Sequence, residues 1–488
     1  MRTGATLVAT GIFLSRIAGL VRDRVFGYYF GLSPAADAFK AAMRIPNFLQ
    51  NLFGEGVLSA SFIPVYAGLL GEEDKEEAGR LAGAVFSILA VLSSVLVLAG
   101  VLATPLLIGL IVPGFTGETR ELAISLVRIL FPGAGLLVLS AWCLGILNSH
   151  RRFLLSYSAP VLWNAAMIAG LLVFHDHATA IAWASVAGSL LQFLVQLPAV
   201  LRLVPQLRLA FDIRRGHVRT VIHNFSPVFI SRGVVQISAY VDNLLASYLP
   251  SGAVAALSNA QTLYLLPVSL FGMAVSASEL PQMSRDTSAL AGRLRDGLRR
   301  IAFYVIPSAV AFIALGDQIA GAIYRTGKFT AADATYVWAI LAGSGIGLLA
   351  STQGRLYASA FYALKDTRTP LRFAVIRVTL TVVLGYLAAL PLPGLLGIAP
   401  KWGVAGLTAS AGLAGWVEFF LLRRALAAKV EVERVSSALL WVCAALAAGV
   451  AWAVKITFPI EQPILSAAST LGPFALVYLG LGRIFRLR

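Results

Sequence analysis

The sequence predicts an all-α polytopic membrane protein with fourteen transmembrane helices, arranged as two parallel six-helix repeats and two C-terminal helices. Three observations predict it. Of 488 residues, 58% are apolar and 13% are charged, about half the charged share of a soluble domain. Mean hydropathy is +0.81. The apolar residues form long unbroken runs, not the short alternating strands of a β-barrel. So few charges cannot cover a soluble surface of this size. That excludes a soluble enzyme, a disordered chain and a secreted disulfide scaffold.

A bilayer core needs about 20 apolar residues per helix, and such runs recur from end to end. The first span, 4–30, stops at Gly31-Leu32-Ser33-Pro34, and the second, 35–68, stops at the acidic turn Glu72-Glu73-Asp74. The third, 80–111, ends at Val112-Pro113-Gly114, and the fourth, 121–147, ends before Arg151-Arg152. Spans 154–174 and 178–200 flank the polar turn His175-Asp176-His177. After a basic loop, spans 221–248 and 252–283 flank Pro250-Ser251. Spans 301–316, 334–362, 373–390, 402–422, 435–454 and 464–482 complete the set. The linkers are short, so none holds a separate soluble domain. Cys143 and Cys443 lie inside apolar runs and read as small core residues. No metal-ligand spacing occurs, and no cofactor is expected. The first run carries Arg16, Arg22, Asp23 and Arg24 with no small-residue cleavage site after it, unlike a cleavable signal.

Loop lysines and arginines set orientation. With the N-terminus placed on one side and the loops counted alternately, that side receives 25 basic residues and the other 5. The sparse side holds Arg120, Arg325, Lys328, Lys401 and Lys455. This asymmetry predicts an even helix count and cytoplasmic termini. It also accounts for most of the net charge of +16, which therefore requires no nucleic-acid partner.

Nine basic residues fall within spans: Arg16, Arg22, Arg24, Lys40, Arg44, Arg128, Arg232, Arg355 and Arg377. A charge at the bilayer centre costs about 3 kcal/mol on insertion scales, so such residues usually face a polar cavity or a partner. Five of the nine lie in the first two spans. At 3.6 residues per turn Arg16 and Arg24 are about 80° apart, with Asp23 about 20° from Arg16. Asp37, Lys40 and Arg44 follow i, i+3, i+7 and form one stripe. Together the two spans can line a cationic groove with Asp23 and Asp37 as counter-charges. Snorkelling to an interface is the alternative, foremost for Arg22, Arg24 and Lys40. A groove with surplus positive charge suits a phosphate or diphosphate.

The chain also repeats itself. Phe13-Leu14-Ser15-Arg16 recurs as Phe229-Ile230-Ser231-Arg232, and Leu52-Phe53-Gly54 as Leu270-Phe271-Gly272. Ser59-Ala60-Ser61 recurs as Ser276-Ala277-Ser278, each with a proline three residues on, and Phe115-Thr116 as Phe329-Thr330. The offsets are all between 214 and 218. The expected organisation is a first lobe over 1–216, a second lobe over 217–428 and a C-terminal helix pair over 429–488. Six is even, so both lobes enter from the same side and the repeats are parallel. Such halves typically hold substrate at their interface and rock against each other.

Particular residues carry a further signal. They are the run Ser15-Arg16-Ile17-Ala18-Gly19-Leu20-Val21-Arg22-Asp23, then Ala36-Asp37-Ala38-Phe39, Pro46-Asn47, Phe53-Gly54-Glu55-Gly56 and Phe62-Ile63-Pro64-Val65-Tyr66. Gly327-Lys328-Phe329-Thr330, Phe361-Tyr362-Ala363-Leu364-Lys365-Asp366-Thr367 and Thr369-Pro370 follow. On these residues the chain resembles the MurJ/MviN family of lipid II flippases, within the exporter superfamily of multidrug and polysaccharide exporters. The resemblance covers almost the whole chain. It implies a non-enzymatic transporter of the bacterial inner membrane. That transporter moves the lipid-linked peptidoglycan precursor lipid II, an undecaprenyl-diphosphate-linked saccharide-peptide, from inner to outer leaflet by alternating access. Membrane lipids and cell-wall synthases are the implied partners.

By the same resemblance, Arg16, Arg22, Asp23, Asp37 and Glu55 match functional positions, and Arg355 matches a position that is basic in relatives. Two departures stand out. Gln50-Asn51 replaces a basic pair, and Ala260-Gln261 replaces an Asp-Arg pair. Arg232 falls where an apolar residue is typical. The cavity charge is therefore expected to be relocated. Arg16, Arg22, Arg24, Arg44, Arg232, Gln261 and Arg355 form the expected substrate-binding set, with Asp23, Asp37 and Glu55 balancing charge or gating. A flippase for another polyprenyl-diphosphate-linked oligosaccharide shares these features. A multidrug or cation exporter would want an acidic cavity, and a membrane glycosyltransferase would want acidic motifs on a sizeable loop.

Overall fold

The computed structural model describes residues 2–53, 55–208, 216–285, 289–430 and 436–485. Within its helices the side chains of 2–9, 55–57, 59–60, 226–239, 277, 281–282 and 284–285 stand outside the description. Packing divides the chain into two units, Met1–Leu244 and Leu245–Arg488.

The first unit holds α1 (Arg2–Phe30), α2 (Pro34–Phe53), α3 (Glu55–Gly71), α4 (Lys75–Ile111), α5 (Gly117–Ser149), α6 (Phe153–Phe174), α7 (Ala178–Leu203) and nearly all of α8 (Gly216–Ser247). The sequence reading starts the second lobe at 217, whereas by packing nearly all of α8 groups with the first unit. Gly31 ends α1 in the left-handed region, at φ 55°, where a residue without a Cβ is favoured. Ser33 then caps α2, its Oγ accepting from the Ala36 N–H at 3.2 Å, and Pro34 supplies a preset first helical φ. α5 packs on α2, α3, α4, α6 and α7. The fully buried Trp142 donates its indole N–H to the Ala82 carbonyl at 3.1 Å, tying α5 to α4. Gln196 donates to Ser140 at 2.7 Å and links α7 to α5. α6 and α7 meet through small residues: a Cβ on Gly170 would lie 2.4 Å from that of Ala184. Cys143 is buried at 0% exposure, as expected of a small core residue.

The second unit holds α9 (Ala253–Pro267), α10 (Ala274–Arg285), α11 (Leu290–Tyr324), α12 (Ala331–Ile346) and α13 (Leu348–Ala363). α14 (Arg368–Ala389), the short α15 (Pro391–Leu395), α16 (Gly403–Ala427), α17 (Ala438–Thr457) and α18 (Pro463–Ile484) follow. α11 packs on α12, α13, α17 and α18, and α16 packs on α12, α13 and α14. Thr408 donates to the Ile340 carbonyl at 2.8 Å. One turn further along, a Cβ on Gly347 would stand 2.3 Å from the Gly412 Cα. Gly347 has φ −97°, so alanine fits its backbone and only the steric cost remains. Gly347→Ala is expected to lower stability by about 1–3 kcal/mol, the usual cost of overpacking. Thermal unfolding of the detergent-purified chain checks this.

Two of the resemblance motifs have local structural reasons. Thr326 and Phe329 exchange backbone hydrogen bonds across Gly327, which has φ 54°. Thr330 and Asp333 then form a reciprocal capping box that starts α12. Asp366 accepts from the Thr369 N–H at 3.0 Å and from its hydroxyl at 2.8 Å, anchoring the start of α14. Lys429 bonds the same carboxylate at 2.6 Å. These partners, Lys429 first, hold the Asp366 carboxyl far below the usual carboxylate range.

Each expected span coincides with a helix or with successive helices. Span 35–68 takes in α2 and α3, with residue 54 between them outside the described residues. Span 252–283 becomes α9 and α10 around the π-helical turn Val268–Met273, which follows Pro267. Span 334–362 becomes α12 and α13, bent by 42°. Span 301–316 lengthens into the 35-residue α11. Its first turns bury Leu290, Leu294 and Leu298 at i, i+4 spacing, while Arg295 and Arg299 turn away. A search for apolar runs passes over such an amphipathic start. Among the described residues ten helices are long and apolar enough to cross a membrane, or eleven with the bent pair. The expected spans outside that count are those of α1, of α2 with α3, and of α8.

Candidate functional site

Near the turn from α1 to α2, three rings link the two helices. Phe26 stacks on Phe30 at 4.5 Å and packs on Phe39 at 5.2 Å. Just below them lies Asp23, only 5% exposed. Its Oδ1 accepts from Arg22 Nε and Nη2 at 3.3 and 3.0 Å and from Lys40 Nζ at 3.0 Å. One buried carboxylate thus holds two cations, and the cluster keeps a net positive charge. A buried charge without such partners would be strongly disfavoured.

The cluster reaches a third helix. Arg22 Nη1 donates to Asn164 Oδ1 on α6 at 3.1 Å, and Asn164 is oriented by its own bond to the Pro160 carbonyl at 3.0 Å. The guanidinium carbon of Arg22 lies 5.0 Å from the centroid of the Trp163 ring, a cation–π distance. Lys40 lies 5.0 Å from the Phe26 ring. The Trp163 indole N–H is buried and has no hydrogen-bond partner among the described residues. An unpaired buried donor next to two cations is a ready contact for an anionic oxygen.

The other expected residues divide. Arg44 follows Lys40 on α2. Its carbonyl accepts from the Tyr240 hydroxyl of α8 at 2.9 Å, and Tyr240 packs edge-on against Phe48. Asp242 and Tyr240 act electrostatically on the Arg44 guanidinium. Asp37 is buried at 3% exposure on the same helix. Arg24 is half-buried, one residue past Asp23. Arg16 is exposed on α1, and no ion pair joins it among the described residues. Glu55 and Arg232 lie on α3 and α8, but their side chains are outside the described residues.

The second unit carries a cluster of its own. Arg377 of α14 pairs with Glu418 of α16 at 3.3 Å. Arg355 of α13 and Arg377 both act electrostatically on Glu418 and on Tyr264 of α9. The Tyr264 and Ser351 hydroxyls share a hydrogen bond of 2.8 Å. Gln261 is half-buried on α9, three residues before Tyr264 and so on the same helix face. Two arginines around one glutamate again leave a net positive charge.

Against known proteins, the family described as Lipid II flippase MurJ matches residues 26–465. The chain belongs to the MurJ family. A lipid II flippase MurJ from Burkholderia cenocepacia is 32% identical over 86% of this chain and 82% of its own length. A probable lipid II flippase MurJ from Rhizobium meliloti is 29% identical over 96% and 88%. A solved MurJ structure in an inward closed conformation superposes with a TM-score of 0.80 at 27% identity, covering 98% of both chains. An inward-facing MATE-family multidrug transporter, 18% identical, shares the fold at a TM-score of 0.70 over 86% of this chain and 96% of its own. MurJ proteins are multi-pass membrane transporters, which sets aside an enzymatic reading.

Sequence reasoning on this MurJ-family chain missed Asn164, Trp163, Tyr264 and Glu418. The first three are uncharged, so a census of charges in apolar runs passes over them. Glu418 is the sole acid in the run 402–422, and a census of acids as well as bases would have found it.

Proposed function

We propose that the chain flips lipid II from the inner to the outer leaflet of the bacterial cytoplasmic membrane by alternating access, with both termini cytoplasmic. Arg22 and Lys40 bind the diphosphate, with the Trp163 N–H as a neutral donor and Arg16, Arg24 and Arg44 as nearby cationic support. Within the second unit, Arg355 and Arg377 form a cationic cluster of their own that suits the same anion chemistry. Membership of the MurJ family supports the substrate. The observation that carries the binding mode is the cluster around Asp23, in which one carboxylate is shared by two cations and the net charge stays positive.

Charge-assisted hydrogen bonds to phosphate are roughly twice as strong as neutral ones, and a guanidinium can make two at once. Asp23 is a positioning residue: it fixes both cations without neutralising them. The prenyl tail stays in lipid while the head group meets the charges, so the polar cost of crossing is met by protein groups. The test is the leaflet location of lipid II in cells depleted of this protein. Lipid II accumulating out of reach of an external probe is the expected result. Undiminished outer-leaflet access refutes the reading, and translocation of a different prenyl-diphosphate sugar by the purified chain would replace the substrate.

A further inference from the structure

Far from these clusters in the chain, the α17–α18 turn and the end of α11 enclose a cavity of ≈ 290 Å³. Four charged side chains line it: Asp317, Arg325, Lys455 and Glu461. Pro459, Ile460 and Pro463 make an apolar wall. Lys455 Nζ bonds Asp317 Oδ2 at 2.6 Å, and Gln318 Nε2 donates to the same oxygen at 2.9 Å. Gln318 is in turn fixed by the Ser466 hydroxyl at 2.7 Å. The floor is thus a rigid network.

Three groups are left over. Asp317 Oδ1 is buried and has no hydrogen-bond partner among the described residues. Arg325 and Glu461 line the mouth, and no ion pair joins either among the described residues. A buried acceptor left unmade is costly, and it normally signals a missing partner. The site therefore offers two acceptors of negative charge and a free guanidinium within one small volume. A ligand carrying a primary ammonium and an anionic phosphodiester satisfies all three.

The surroundings say where such a ligand comes from. Ile456, Phe458, Ile464 and Leu465, next to the cavity in sequence, are 50–64% exposed. They belong to the ends of two helices apolar enough to cross a membrane, so apolar surface borders the charged mouth at the depth of lipid headgroups. The volume lies at the small end for ligand sites and suits a headgroup rather than a whole drug-sized molecule. Arg325 and Lys455 are also two of the five basic residues on the sparse, non-cytoplasmic side of the sequence reading.

We propose that this cavity is a binding site for the headgroup of a zwitterionic primary-amine phospholipid, of the phosphatidylethanolamine type. The ammonium bonds Asp317 Oδ1 and Glu461, the phosphodiester pairs with Arg325 and Lys455, and the acyl chains lie along α17 and α18. A trimethylammonium headgroup has no N–H to give Asp317 Oδ1, and a glycerol headgroup brings only neutral hydroxyls, not a cation, to Asp317 and Glu461.

The test is native mass spectrometry of the detergent-purified full chain with phosphatidylethanolamine, phosphatidylcholine or phosphatidylglycerol added at equal concentration. Phosphatidylethanolamine is expected to be retained about tenfold better than the others, as one or two charge-assisted contacts allow. Glu461→Gln, which leaves the Lys455–Asp317 pair intact, is expected to erase that preference, whereas Arg325→Gln is expected to lower retention of all three lipids, since they share the phosphodiester. Equal retention of the three lipids overturns the proposal, as does a preference that survives Glu461→Gln.

Discussion

Arg22→Ala is expected to cut transport by about one to two orders of magnitude while the chain still inserts and folds. The substitution removes the link between Asp23 and Asn164, the cation over Trp163 and one of the two charges held by Asp23. Each charge-assisted bond lost to the substrate costs about 1.5–3 kcal/mol, enough to reduce turnover by one or two orders of magnitude. Arg22→Lys should restore only part. A single ammonium cannot bond Asp23 and Asn164 together while lying flat on an indole. Asp23→Asn acts differently. It leaves Arg22 and Lys40 facing each other without a shared counter-charge, and breaking a buried arrangement of this kind costs about 3–5 kcal/mol. Complementation of depleted cells reads the first effect, and thermal unfolding of the purified chain reads the second. Normal growth on Arg22→Ala at normal membrane abundance would refute the assignment.

Glu418→Leu is expected to destabilise the second unit by about 3 kcal/mol, the lower end for breaking a buried pair, because the Arg377 side chain is 36% exposed. The loss leaves Arg377 and Arg355 without the carboxylate that both act upon. Adding Arg377→Met should recover most of the stability, since an apolar pair of similar volume often replaces a buried ion pair without penalty. The double-mutant cycle measures the coupling directly. Additive effects of the two substitutions would show that the pair contributes nothing as a pair.

Much of this architecture was legible in the sequence because the bilayer allows few solutions. A run of twenty apolar residues must be helical, and every such run lies on helix, with ten or eleven of them long and apolar enough to cross a membrane among the described residues. The breaks were less legible. Nothing in a hydropathy pattern marks Gly347 as the point where α12 turns into α13, and its close approach to Gly412 is a tertiary contact. At the site, Arg22, Asp23 and Lys40 stood out because charge in an apolar run is costly. Their pairing did not, because Lys40 reaches back to α1 rather than along its own stripe to Asp37. The acid that acts on Arg44 is Asp242, which lies on α8 and not on the stripe of α2. Asn164 and Trp163 were invisible for a different reason: their roles come from α6 lying against α1, a tertiary fact.

The contact between Gly347 and Gly412 bears on motion. With no side chain on either glycine, the helices meet backbone to backbone here, and an axial shift that brought a residue with a Cβ to this point would clash. The contact therefore favours α12, α13 and α16 moving together as a stiff plate. Compliance must then be found elsewhere in the unit, and the wider turn at Val268–Met273 is a natural crease: its backbone bonds skip an extra residue and Pro267 offers no N–H to brace them. Displacement at one face of the membrane would be transmitted across it by the plate nearly undiminished, with the bending gathered along the α9–α10 line.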